Sequence, residues 1–133
     1  MSAPEVTVPG WPVPRGYANG RIGDGRVVHV AGQIGWDAQG AFADGLVAQL
    51  ARALDNVLAV VAAAGGRGED IATMTVFVTD IAAYRAAQKE LGAVWRPRLG
   101  KHFPAMALVA VSALVEDRAL VEIQATAYVG GAA

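Results

Sequence analysis

The sequence has no cysteine, which excludes disulfides, thiol catalysis and thiolate metal sites. It also lacks a charge bias: 11 basic residues against 12 acidic ones leave a net charge of −1. A general RNA or DNA binder carries a basic excess or stripe. The only basic cluster here is Arg96, Arg98, Lys101 and His102, which reads as a cationic helix C-terminus offsetting the helix dipole. Nucleic acid is therefore not an expected partner. No apolar run approaches the roughly 18–20 residues needed to span a bilayer, so no membrane partner is expected. The start, Met1-Ser2-Ala3-Pro4-Glu5, lacks the basic and apolar regions of a signal peptide, and a cytoplasmic protein is expected. There is no Gly-x-Ser-x-Gly element, no Ser-His-Asp signature, no P-loop and no dinucleotide fingerprint. Two histidines with scattered acids make no recognisable metal site.

What is present is one domain's worth of alternating strands and helices. Residues 1–15 hold four of the six prolines and read as an irregular arm. A single domain follows over 16–129, and 130–133 read as a small flexible tail. Gly16–Ile22 is expected to be a short first strand, and Gly23-Asp24-Gly25 a turn. Arg26–Ala31 is β-branched and predicts a second strand, broken by Gly32–Gly35. Asp37-Ala38-Gln39-Gly40 reads as a turn. Leu46, Leu50, Leu54, Val57, Leu58 and Val61 recur at helical spacing, with Asp44 as a candidate cap and Gly65-Gly66 as the stop. Gly65–Gly68 follows a helix and precedes a strand, the wrong order for a phosphate cradle, so it reads as a connection. Ile71–Thr79 predicts a strand. Ile81, Tyr84, Ala87, Leu91 and Val94 form a second helical stripe, limited by Pro97 and closed by Gly100. Pro104–Ser112 is almost wholly apolar, as for a strand buried on both faces. Ala119–Tyr128 is the last strand.

The order β-β-α-β-α-β-β puts two crossovers on one mixed sheet, and right-handed crossovers place both helices on the same face. No third helix is available for the other face. Self-association is the simple way to cover it.

Alternation on the last strand separates Val121, Ile123, Ala125 and Ala127 from Glu122, Gln124, Thr126 and Tyr128. The apolar row should meet the helices, which leaves Glu122 on the uncovered side. Two readings stay open for it: a solvated strand residue or interface ion pair, or a partly desolvated carboxylate suited to proton transfer. Tyr17 and His29 read more simply as packing and structural residues. Trp36 and Trp95 read as packing residues or pocket walls.

Taken together, Val30-Ala31-Gly32-Gln33-Ile34, Leu54-Asp55-Asn56-Val57, Ala64-Gly65, Thr75–Asp80, Phe103-Pro104-Ala105 and Val121-Glu122-Ile123 follow one another in an order that resembles the reactive-intermediate deaminase (Rid, or YjgF-like) family. The resemblance runs from about Tyr17 to Val129. It implies an α+β, chorismate-mutase-like fold and a homotrimer, three sheets forming a central barrel with a ligand cleft at each subunit interface. It also implies hydrolysis of 2-imino acids to 2-keto acids and ammonia, with no metal or cofactor. Glu122 matches the glutamate that handles the attacking water, and Tyr17 the tyrosine that lines the cleft. Gly32 matches the backbone turn beside the substrate, and Gln88 lies near a position often filled by asparagine.

The departures are as informative. Met106 stands where deaminating members have the arginine that grips the substrate carboxylate, a contact Met106 cannot make. Ala31 replaces a common serine and Leu108 a common cysteine. Met106, Leu108 and Trp36 are expected to form an apolar wall, and His102, Arg96 or Arg98 to be the cations available for the arginine's role. The leading expectation is hydrolysis of an imine, enamine or related reactive intermediate other than the standard small 2-imino acids, such as an aromatic or acyl-thioester-linked enamine. The alternative is a non-catalytic member that binds a small metabolite in the same cleft.

Overall fold

The computed structural model describes residues 3–130. The expected tail lies almost wholly outside them. Six strands and three helices follow in the order β1 (Glu5–Val6), β2 (Gly20–Arg21), β3 (Arg26–Ile34), α1 (Leu46–Ala63), β4 (Ile71–Val78), α2 (Ile81–Ala86), α3 (Gln88–Leu99), β5 (Ala105–Ala110) and β6 (Val121–Val129). A 3₁₀ turn at Gly68–Asp70 leads into β4.

The main sheet has the order β3-β6-β4-β5. β6 runs antiparallel to both β3 and β4, while β4 and β5 are parallel. The β3-α1-β4 and β4-α2-α3-β5 crossovers leave the helices on one side. There α1 supplies Leu50, Leu54, Val57 and Val61 to a core shared with Met74 and Val76 of β4 and Ile123 and Ala125 of β6. The other side of the sheet carries no helix.

Several local expectations are corrected. Gly16–Ile22 is not a full strand: Ala18 bridges Ala105 at the edge of β5, and only Gly20–Arg21 pair, with Glu5–Val6 of the arm. Arg21 ties this segment down by donating from Nε to the Phe103 carbonyl at 2.8 Å. β3 does not break at Gly32. It runs on to Ile34 through a register shift between Val30 and Gln33, a bulge that lets an extended strand turn without ending.

α1 starts after Gly45, with no side-chain cap from Asp44. At its far end Gly65, at φ +90°, turns the chain out of the helix, and the Gly66 N–H donates to the Val61 carbonyl at 2.9 Å. By length and mean composition α1 is apolar enough to cross a membrane, although Arg52 and Asp55 interrupt its apolar residues. It is the core helix of the domain, with Leu54, Val57 and Val61 at most 1% exposed.

The second helix is two, α2 and α3, joined at Ala87. Asp80 caps α2 by accepting from the Ala83 N–H at 3.0 Å. Pro97 sits inside α3, one turn before Gly100 closes it. Pro97 therefore leaves the Ala93 carbonyl without its helical partner, near the point where the helix ends.

β5 is not buried on both faces. It is the edge strand, paired only with β4, and Ala107, Val109 and Ala110 are exposed.

Candidate functional site

Glu122 lies on β6 with its neighbours Val121 and Ile123 fully buried toward the helices. Alternation therefore puts its side chain on the open face. Phe77 of β4 is its cross-strand partner. On its other flank the β3 bulge brings in Gly32. A Cβ at Gly32 would stand 2.6 Å from Glu122 Oε2 and 2.7 Å from its carboxyl carbon. Glycine is thus the residue that admits the carboxylate in this position. Glu122 is half-buried, and its carboxylate has no hydrogen bond or ion pair among the described residues. A carboxylate held against a strand with its lone pairs free is a built acceptor. Ala31, at the same bulge, is exposed beside it.

Met106 and Leu108 are elsewhere. They pair in register with Met74 and Val76, both core residues on the helix side. Their side chains therefore leave the sheet on the face opposite Glu122. They line a cavity of about 150 Å³ between β5 and the helices. Leu50 and Leu54 of α1 close its inner end, and Tyr84, Gln88, Leu91 and Trp95 its outer wall. Trp95 stacks on Phe103 at 5.5 Å with the rings 7° apart, and donates from Nε1 to the His102 carbonyl at 3.2 Å. Among the described residues no charged side chain lines this cavity.

Residues 16–19 run along the edge of β5 between the two faces. Gly16 contributes to the helix-side cavity, while Tyr17 lines a groove of about 360 Å³ on the open face with Thr73, Thr75, Ala105 and Ala107. Tyr17 is 44% exposed.

Trp36 lies outside the expected apolar wall, and two of the three candidate cations are engaged elsewhere. Trp36 lines neither cavity. It contacts Phe42 at 5.5 Å, its carbonyl accepts from Asn56 Nδ2 at 2.9 Å, and Arg118 lies 5.3 Å over the Phe42 ring. The Asn56 amide also donates to the Ile34 carbonyl at 3.0 Å, so it clamps α1 to the end of β3. His102 bonds through Nε2 to the Ile71 carbonyl at 2.8 Å. Burial lowers its pKa below the usual histidine value, against a smaller raising effect of that bond, so the ring is neutral at physiological pH. Arg98 is forked onto Asp55 at 2.8 and 3.3 Å and donates to the Val94 carbonyl. Only Arg96 is left without such a partner among the described residues; its Nη1 lies 3.4 Å from where a Gly92 Cβ would stand.

The residue that sequence reasoning passed over is Tyr84. It was assigned to the core stripe, and its membership of the cavity wall follows from a different period: Tyr84, Gln88, Leu91 and Trp95 recur at four, three and four residues. Among the described residues no three His, Asp or Glu side chains are grouped to hold a metal ion.

A mixed four-stranded sheet with its crossover helices on one face and the other face open defines an α+β protein of the chorismate-mutase-like class. The sequence pattern of the family described as endoribonuclease L-PSP matches residues 12–129. The 2-iminobutanoate/2-iminopropanoate deaminase of Salmonella typhimurium is 36% identical over 104 residues, spanning 77% of this chain and 80% of that protein. Among solved structures, the Rid-family protein YyfB of Yersinia pestis superposes with a TM-score of 0.85 at 26% identity, covering 97% of this chain and all of the other. The YjgF gene product of E. coli gives 0.70 at 31% identity, covering 96% and 94%. The chain belongs to the endoribonuclease L-PSP family, which is the Rid/YjgF family.

Proposed function

We propose that this protein is a homotrimeric hydrolase of an imine or enamine-derived intermediate, with Glu122 as the base for the attacking water. The observation that carries the reading is the Glu122 carboxylate, half-buried over Gly32 with no partner among the described residues. In the reaction, water adds to the C=N carbon and gives a proton to Glu122. That proton passes to the nitrogen to give a carbinolamine. Glu122 then moves the carbinolamine hydroxyl proton to the nitrogen as well, the C=O forms as the C–N bond breaks, and ammonia leaves a carbonyl product. Tyr17, Gln88 and the backbone at Ala31–Gly32 orient the ligand. The deaminase name of the Salmonella typhimurium relative supports the reaction class.

One chain keeps Glu122 and the Met106 cavity on opposite faces of its sheet. A second copy laid against the open face and the β5 edge is what brings a Glu122 and a cavity together. The uncovered face, with Val27 and Val109 47% and 43% exposed, supports this arrangement.

The substrate differs from the small 2-imino acids because Met106 stands where the family's arginine grips a carboxylate. A charge-assisted contact of that kind is worth about 1.5–3 kcal/mol, or about one to two decades. The test is ammonia release from 2-iminopropanoate and 2-iminobutanoate, generated in situ by an amino-acid oxidase, comparing the native protein with Met106→Arg. The expected result is weak native turnover and a gain of about ten- to a hundredfold in the variant. Native turnover that Met106→Arg does not improve contradicts the substrate reading. Silence of both proteins, with tight ligand binding retained, favours the binding-module alternative.

A further inference from the structure

The cavity behind Met106 has features that hydrolysis alone does not need. Its volume of about 150 Å³ matches that of an engineered apolar cavity known to take up benzene. Leu54, Val76, Met106, Leu108 and Ile123 form its floor, and no charged side chain lines it. A carboxylate entering it would lose hydration against this apolar floor, the nearest cation without a partner among the described residues being Arg96, whose Nη1 lies beside Gly92 at the cavity wall. An uncharged ring would gain by burying apolar area.

Two polar groups interrupt this wall. Tyr84 and Gln88 stand four residues apart, and neither the hydroxyl nor the carboxamide has a hydrogen-bond partner among the described residues. Trp95 differs: its N–H is already spent on the His102 carbonyl and its ring is stacked on Phe103. Burial raises the Tyr84 pKa, so the hydroxyl remains a donor at neutral pH.

We infer that this cavity binds an uncharged, ring-sized apolar group of the ligand, and that Tyr84 is a specificity-determining residue that hydrogen-bonds a neutral oxygen on that group. The inference rests on the cleft being the substrate site, but the binding it predicts needs no turnover.

The test follows the Met106 methyl of the full-length protein by NMR, with the buried Met74 as internal reference, during titration with toluene, phenol and benzoate. Toluene and phenol are expected to shift Met106 and to bind at least tenfold tighter than benzoate. Tyr84→Phe, which removes one oxygen, is expected to cut the preference for phenol over toluene by about five- to tenfold. Leu108→Phe, which fills the cavity, is expected to abolish binding of both neutral probes. Absence of a Met106 shift, an unchanged phenol preference in Tyr84→Phe, or toluene binding undiminished in Leu108→Phe overturns the inference. So does benzoate as the tightest probe, which would assign the site to a carboxylate read by Arg96. If the ring probes bind as expected while no imine is turned over, the hydrolase reading falls and this inference stands. Turnover without ring binding gives the reverse.

Discussion

The two faces of the β3-β6-β4-β5 sheet are made by the same four strands and solve opposite problems. On the helix side, Val121, Ile123, Ala125 and Ala127 of β6 are at most 3% exposed and pack against α1. On the other side, Glu122, Gln124, Thr126 and Tyr128 alternate with them under no helix. The first face is finished within one chain, apart from the cavity at β5. The second is not: its carboxylate has no partner among the described residues, and its apolar residues Val27 and Val109 remain open. One strand thus carries fold stability on its odd positions and the proposed base on its even ones. Substitutions one residue apart should separate the two.

The largest expected effect is on the open face. Glu122→Gln keeps size and removes the base, so ammonia release from a competent imine should fall by about 10²–10⁴-fold. Its melting temperature and assembly should hold. Turnover at the native rate would remove Glu122 from the mechanism. One residue further along, Ile123→Ala opens a hole in the core and should cost about 2–5 kcal/mol of unfolding free energy by urea titration. Gln124→Ala, on the exposed row, should change it by less than about 0.5 kcal/mol. Equal effects at the two positions would break the two-face comparison.

Gly32→Ala sharpens it further. The added Cβ meets the flexible end of Glu122, not backbone, so the side chain can swing away at little cost to folding. A displaced base loses about 10²-fold in rate. Loss of stability without loss of turnover would show that Gly32 serves the strand and not the carboxylate.

The smallest effect belongs to His102. Its folded pKa is depressed by burial, so the unfolded chain binds the proton more readily. Its contribution to stability is complete above about pH 6.5, the unfolded value, and is lost as pH falls through the lower folded pKa. Melting temperature should drop over that acid window, and His102→Gln should flatten the drop. A drop unaltered by the substitution would locate the titration elsewhere.

Much of this division is written in the sequence. Strict alternation over Val121–Tyr128 places Glu122 on the uncovered side, and the leucine and valine stripe of α1 marks the covered one. The β5 edge was not legible, because an apolar run looks the same whether its second face meets a helix or another chain. The β3 bulge was hidden for a similar reason: a one-residue register change leaves no compositional mark beyond Gly32 itself. The resemblance puts Met106 and Glu122 in one interface cleft. Only the parallel register of β4 and β5 shows that Met106 leaves the sheet on the opposite side. His102 was counted as a free cation, and its engagement with the Ile71 carbonyl depends on a contact 31 residues away in sequence. Tyr84 satisfied a core pattern well enough to conceal its place in the cavity wall.

Glu122 and the Met106 cavity lie on opposite faces of one sheet, so the proposed site exists only where copies of the chain associate. The measurement that tests this most directly is the molar mass of the active species, by light scattering at assay concentration. The account predicts a particle of three 13.7 kDa chains, with no turnover in any fraction of single-chain mass. A 13.7 kDa species that releases ammonia at the full rate would contradict it.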